Sequence, residues 1–381
     1  MKKSCVRMIL TPITIAVVAL LLSGCAKAQE KRIVRIGHNQ STNHPSHIGL
    51  VAFQEYIHSE LGDKYVVEVY PSELLGSQTD MVQLTQTGAI DFCIASNSIL
   101  ETFSRNYSIF NLPYLFASQE AYHAAMDDPA VTGPIFESTV DAGFTSVTWL
   151  DAGIRNFYTI SKPIYSPADL KGLKIRVQQS PTNIEMMRLL GGSATPMGFG
   201  EVYTSLQSGI IDGAENNELA LRDNGHGDIC KYYSYDMHQM IPDLLIGNNA
   251  FLESLSPKER EIFEDGFEIL NETQREAWTE GVEDSIRNAT ENQGVTFLYP
   301  DTEPFREAVL PLHTSLLSQI PAIRPVYEQI QIYNAQFSTD VKTSVEKGIT
   351  VQENNKAETI IPDESGTELT GEVEINWEGR S

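Results

Sequence analysis

Apolar and polar residues alternate strictly over Leu173–Gln178. Leu173, Ile175 and Val177 fall on one side and Lys174, Arg176 and Gln178 on the other, the period of a strand with one face toward a core. Similar runs predict strands over Ile33–Gly37, Tyr65–Ser72, Ile90–Ala95, Thr145–Leu150 and Arg155–Ile160. Between them, helical spacing marks His47–Leu61, Gln78–Thr87 and Asn183–Leu190. Strands alternating with helices indicate an α/β protein whose sheets are covered by helices. From Ser256 to about Gln293 a single helical pattern runs without an internal proline beyond its first turn, with Ile262, Phe263, Phe267, Leu270, Trp278, Val282, Ile286 and Ala289 along it. Ser256, Pro257 and Glu259 form its start signal. Such a helix is longer than one small domain and predicts a brace across two lobes; Gly281 is the point at which it would break if it were two helices.

The N-terminus follows a different pattern. Lys2, Lys3 and Arg7 precede an apolar run from Met8 to Leu22, too short for a spanning helix and suited to a secretory signal over residues 1–24. It ends in Leu-Leu-Ser-Gly-Cys, which resembles the bacterial lipoprotein cleavage box and predicts lipidation of Cys25. Residues 25–31 read as a linker. After about Thr350 the chain carries eight acids and two bases and reads as a weakly ordered tail over 350–381.

The net charge of −24, or −27 once the three cations of the signal are gone, argues against nucleic-acid binding. Cys93 and Cys230 are too few for a disulfide framework, although a bridge between them stays open. No Walker loop, HExxH, CxxC or G-x-S-x-G pattern is present. His38, His44 and His47 lack the spacing of a metal set and read as surface or loop histidines. The sequence thus predicts a binding protein with no catalytic residue, cofactor or metal. What remains is a set of polar groups at the ends of elements: Arg155, Arg176, Asn216, Asn39, Gln78 and Ser96. Ligands bind at the carboxyl ends of strands in open α/β sheets. Taken singly, Arg155 and Arg176 read equally as solvated strand residues and Phe199 as core.

The stretches "YPSELLGSQTDMVQLTQTGAIDF", "GIRNFYT", "DLKGLKIRVQQSPTN" and "TPMGFGEVYTSLQSGIIDGAENN" resemble the solute-binding proteins of tripartite ATP-independent periplasmic (TRAP) transporters, of the C4-dicarboxylate-receptor (DctP) type. The resemblance runs from about Arg32 to Ile330. It implies a two-lobed periplasmic-binding-protein-like fold with a hinge. Lobe 1 would comprise residues 32–153 with 243–281 returning, and lobe 2 residues 154–242 with 282–335 returning. It assigns Arg176 a bidentate salt bridge to a ligand carboxylate, makes Arg155 its support, and places Asn216 and Phe199 on the ligand. By position in the first lobe, Asn39, Gln78, Ser96 and His38 would meet the ligand's distal end. "ENNE" at Glu215–Glu218 stands where the family often has proline after the asparagine, which counts against a C4-dicarboxylate.

Guanidinium matches carboxylate geometry through paired donors, and a neutral hydrogen-bonding wall suits a polyhydroxylated body. The expected ligand is therefore a sugar acid such as a hexuronate, with C4-dicarboxylate and sialic acid as alternatives. The expected partners are the TRAP membrane permease subunits and, through the lipid, a membrane; the protein is expected to be an extracytoplasmic monomer. A lipid-anchored sensor, or an enzyme using His38 or Asp151 as a base, are the competing readings.

Overall fold

The computed structural model describes residues 30–337; the signal, Cys25 and the acidic tail lie outside them. Eleven strands form two mixed sheets among the described residues. The first sheet takes β1 (Arg32–Gly37), β2 (Tyr65–Tyr70), β3 (Phe92–Ser96), β4 (Phe144–Leu150) and β10 (Asp243–Asn248) in the order β2-β1-β3-β10-β4. The second takes β5 (Arg155–Thr159), β6 (Lys174–Val177), β7 (Ser193–Pro196), β8 (Gly213–Asn216), β9 (Tyr232–Gln239) and β11 (Thr296–Leu298) in the order β11-β9-β5-β8-β6-β7.

In the first sheet the parallel set β2-β1-β3 is joined by helices α1 (Pro45–Leu61) and α2 (Gln78–Thr87). Strand β10 is inserted antiparallel between β3 and β4, pairing Asp243 with Ser96 on one side and Leu150 on the other. In the second sheet β8 lies between parallel β6 and antiparallel β5. The chain therefore passes between sheets three times, through residues 151–154, through residues 240–242 and through the long helix that precedes β11.

The long helix α3 (Pro257–Glu291) is continuous through Gly281 and closed at its start by a Ser256–Glu259 capping box. At 1.5 Å per residue its 35 residues span about 50 Å. Its contacts change along its length. Phe263, Phe267 and Leu270 pack with Phe53 and Phe92 in the core of the first sheet. Gln274, fully buried on the same helix face as Leu270 and Trp278, exchanges two hydrogen bonds with the backbone of Asp151 (3.2 and 2.8 Å). Trp278 lies against Gly153, Ser285 donates to the Glu218 carbonyl at 2.6 Å, and Ala289 enters the core of the second sheet with Tyr158 and Tyr233. Gly153 has φ +63, and a Cβ there would stand 2.9 Å from the Trp278 ring, so the crossing needs glycine on both counts.

A second tie between the lobes is polar. Glu101, reached from β3, accepts from Asn111 (2.8 Å), Ser180 (2.5 Å) and Thr182 (2.7 Å), the last two at the start of the helix Pro181–Leu189 that follows β6. Cys93 and Cys230 are both buried free thiols, pushed up to about 12 by burial, so no bridge joins them.

Candidate functional site

The carboxyl ends of β1, β3, β6 and β8 face a common cleft between the sheets, the usual place for a ligand in open α/β sheets. Six of the eight candidates line it: Arg155, Arg176, Asn216 and Phe199 from the second lobe, Asn39 and Gln78 from the first.

Arg176 is only 3% exposed. The strand alternation placed it opposite the core face; at Arg176 that second face turns into the cleft, while Lys174 on the same face stays exposed. Its Nε and Nη2 both donate to the Met197 carbonyl, at 3.2 and 3.0 Å. Its guanidinium stands 5.6 Å from the centre of the Phe199 ring. Nη1 and the second Nη2 hydrogen form the end-on edge that can meet a carboxylate with two parallel bonds. No acid lies within ion-pair distance of it among the described residues. Burial lowers its pKa, with Arg155 adding to the effect against the attraction of Glu215 and Glu73. A buried cation without a counter-ion is costly and is a receptor for an anion.

Arg155 is held differently. Its Nε donates to Glu215 Oε2 (2.5 Å), Nη1 to Asn216 Oδ1 (2.8 Å) and Nη2 to the Glu215 carbonyl (2.8 Å). Asn216 thereby has its amide oxygen occupied and its NH₂ left to donate. Behind this pair lies His238, whose Nδ1 is 2.7 Å from Asp236 and whose Nε2 is 3.7 Å from Glu215. Burial would depress His238, but the Asp236 and Glu215 carboxylates raise it to about 9. The charged ring therefore contributes stability that is complete below its unfolded pKa near 6.5 and fades as pH rises through about 9. Thermal melts between pH 7 and 10 should fall more steeply for the wild type than for His238→Gln; parallel profiles would exclude the assignment.

In the first lobe, Gln78 Oε1 accepts from the Ser96 backbone N–H at 3.2 Å, which points its NH₂ away. Ser96 acts behind the wall and is not part of the lining. His38 is also displaced from the expected position. It is fully buried, its Nδ1 accepts from the Gln40 N–H (3.2 Å), and its protonated Nε2 donates to His47 (2.9 Å). Both ring nitrogens are consumed inside the lobe. The reading of these histidines as surface residues fails for His38 and His44, because the turn before α1 is packed under the long helix. His44 lines the cleft, accepts from the Ser46 N–H at 3.1 Å and meets Trp278 edge-on at 5.8 Å. Burial first, then His38 and Arg222, lower it to about 3, so it is a neutral donor through Nε2.

Sequence reasoning missed Gln178, Trp278 and Asp243, which also line the cleft. Gln178 lay on the face of Arg176 and was readable from the same alternation. Asp243 follows Pro242 at the start of an apolar run, a strand signal whose first residue necessarily lies at a sheet end.

At the mouth, the Glu73 carboxylate of the first lobe lies against the backbone of Gly200 in the second. A Cβ at Gly200 would overlap Glu73 Oε2, at 2.2 Å. Gly200→Ala should push this carboxylate aside and remove one polar contact across the cleft, worth about 1 kcal/mol. Titration calorimetry should then show roughly fivefold weaker ligand binding with an unchanged melting temperature. An unaltered affinity would mean that Glu73 plays no part in closure.

Two α/β lobes joined by two crossing segments and a long helix, with a buried cationic cleft between them, define a receptor for an anion. The chain belongs to the bacterial extracellular solute-binding protein family 7, whose model matches residues 36–319. It is similar to the uncharacterized protein YiiZ of Salmonella typhimurium, with 39% identity over 319 residues, 84% of this chain and 97% of that protein. A TRAP periplasmic solute-binding protein from Anaerococcus prevotii, solved with bound α/β-D-glucuronate, is 63% identical with a TM-score of 0.80, covering 81% of this chain and 99% of the other. One from Sulfitobacter, with bound β-D-galacturonate, is 28% identical with a TM-score of 0.75 over 80% of this chain and 100% of that one. TRAP solute-binding proteins are extracytoplasmic, and no described helix is long and apolar enough to cross a membrane.

Proposed function

We propose that this protein is the extracytoplasmic receptor of a TRAP transporter that captures a hexuronate and delivers it to the membrane permease. The observation that carries the reading is the buried guanidinium of Arg176, unpaired by any acid and facing a cleft whose other groups are mostly neutral hydrogen bonders. One carboxylate would sit on Arg176, steadied by the Asn216 amide, with Phe199 against the ligand body. Asn39, Gln78, His44 and Gln178 would serve the hydroxyls. The 63% identity to a protein holding glucuronate supports the same class of ligand.

The lobe boundaries proposed are those at which the chain crosses between the sheets. Attachment through lipidated Cys25, a monomeric state and a role without catalysis complete the reading. Neither His38 nor Asp151 lines the cleft, and Asp151 is tied to His123 at 2.7 Å and to the Gly153 N–H at 2.8 Å, so neither suits the base of an enzyme on this ligand.

A thermal-shift screen of D-glucuronate, D-galacturonate, sialic acid and C4-dicarboxylates tests this. A ligand at 100 times its Kd adds about 2.7 kcal/mol. The hexuronates should raise the melting temperature and the dicarboxylates leave it in place; a response to succinate or malate alone would reverse the choice of ligand.

A further inference from the structure

One charged side chain in the cleft is left over by the anion clamp. Asp243 opens β10 opposite Ser96 of β3 and Leu150 of β4, so it stands at the carboxyl ends of those strands. It is 7% exposed and lines the cleft. Its carboxyl makes no hydrogen bond to any described residue. Other buried acids of the described chain do accept such bonds: Glu101 takes three, Asp151 and Asp236 two or more each, and Glu215 that of Arg155. A buried carboxylate without donors is costly. Burial accordingly pushes Asp243 up to about 6, against the pull of the Arg155 charge. Arg155 is already engaged by Glu215, so it does not neutralise Asp243. The cleft is therefore polarised, with an unpaired cation at Arg176 and an unpaired acceptor at Asp243.

We propose that Asp243 is the specificity-determining residue of the cleft: it accepts hydroxyl hydrogens from the ligand body and rejects ligands that carry a second carboxylate there. This rests on the reading that Arg176 takes the ligand's one carboxylate. A hydroxyl supplies the donor that Asp243 lacks, whereas a second carboxylate brings like charge into a desolvated site. The ligand class is then a hydroxylated monoacid, and the aldaric acid of the same skeleton is excluded by charge.

The test is calorimetric titration at pH 8 of wild type, Asp243→Asn and Asp243→Ser with D-glucuronate and D-glucarate, alongside thermal melts to establish folding. Wild type should prefer glucuronate by 100-fold or more. Asp243→Asn, close to isosteric, should weaken glucuronate about tenfold and strengthen glucarate, bringing the two within about tenfold. Asp243→Ser should shift the ratio in the same direction. Because ring and open-chain forms differ equally for all three proteins, the change in ratio isolates Asp243. An unchanged ratio in the folded variants, or equal binding of both acids by wild type, overturns the inference. If wild type binds no hexuronate, the proposed function fails by itself. The same ratio is then measured for the hydroxy acid that does bind and its dicarboxylate counterpart, and Asp243 is judged on that ratio alone.

Discussion

Replacing Arg176 with lysine should weaken ligand binding by at least tenfold while leaving the fold intact. Lysine keeps the positive charge but loses the planar fork, which at this position uses one edge on the Met197 carbonyl and leaves the other for a ligand. Loss of a charge-assisted bidentate contact is worth on the order of 2 kcal/mol or more, and each 1.4 kcal/mol is tenfold in Kd. The control is Lys174→Ala on the same strand, where the side chain is exposed and changes should stay within about 0.5 kcal/mol. Stability should change little in Arg176→Lys, because the buried cation is retained and an ammonium can still donate to the Met197 carbonyl. Equal small losses from both variants, read by calorimetry, would remove Arg176 from the site.

Arg155→Ala should do the opposite, damaging the fold as well as binding. Glu215 has no exposed surface. Although burial raises its pKa, Arg155 and His238 together hold it down at about 2. Removing the guanidinium leaves a buried carboxylate facing only His238 at 3.7 Å. Breaking a buried pair from one side costs about 3–5 kcal/mol. Urea unfolding should show this loss as a lower midpoint with little change in slope. The double variant with Glu215→Ala should lose less than the sum of the singles, since the two side chains act as a unit. A single-variant loss below about 1 kcal/mol would show that the pair is not a structural anchor.

The two arginines differ in a way that their strands do not reveal. Both were legible as polar residues near strand ends, and resemblance grouped them, with Arg155 as the supporting member. Whether a guanidinium is saturated or open depends on its partners. Glu215 comes from a strand 60 residues away, while Arg176 hydrogen-bonds only to a carbonyl from the turn after β7. His38 and Ser96 show the converse. Their places near the ends of β1 and β3 were readable, but the Gln40 N–H and His47 took up the first, and the second serves Gln78 through its backbone.

Local order in the chain was sufficient for most elements. Period-two and helical spacing located β1 to β6 and α1 to α3 to within a few residues, and the Ser256–Glu259 capping box marked where the long helix begins. These features depend on neighbours within a few positions, which is why sequence alone determined them. Strands β9 and β10 were not recognised: the first mixes aromatic and polar residues, and the second is buried along its whole length, so neither displays the alternation of a half-covered strand. Only the tertiary structure inserted β10 between β3 and β4 and so brought Asp243 into the cleft with His44 and Trp278, from segments far apart in the chain. The chain's chemistry supplied the guanidinium and the carboxyl. Which of them would lie buried without a partner was decided by the packing of the two lobes, because loss of water and choice of partner are properties of the space between elements.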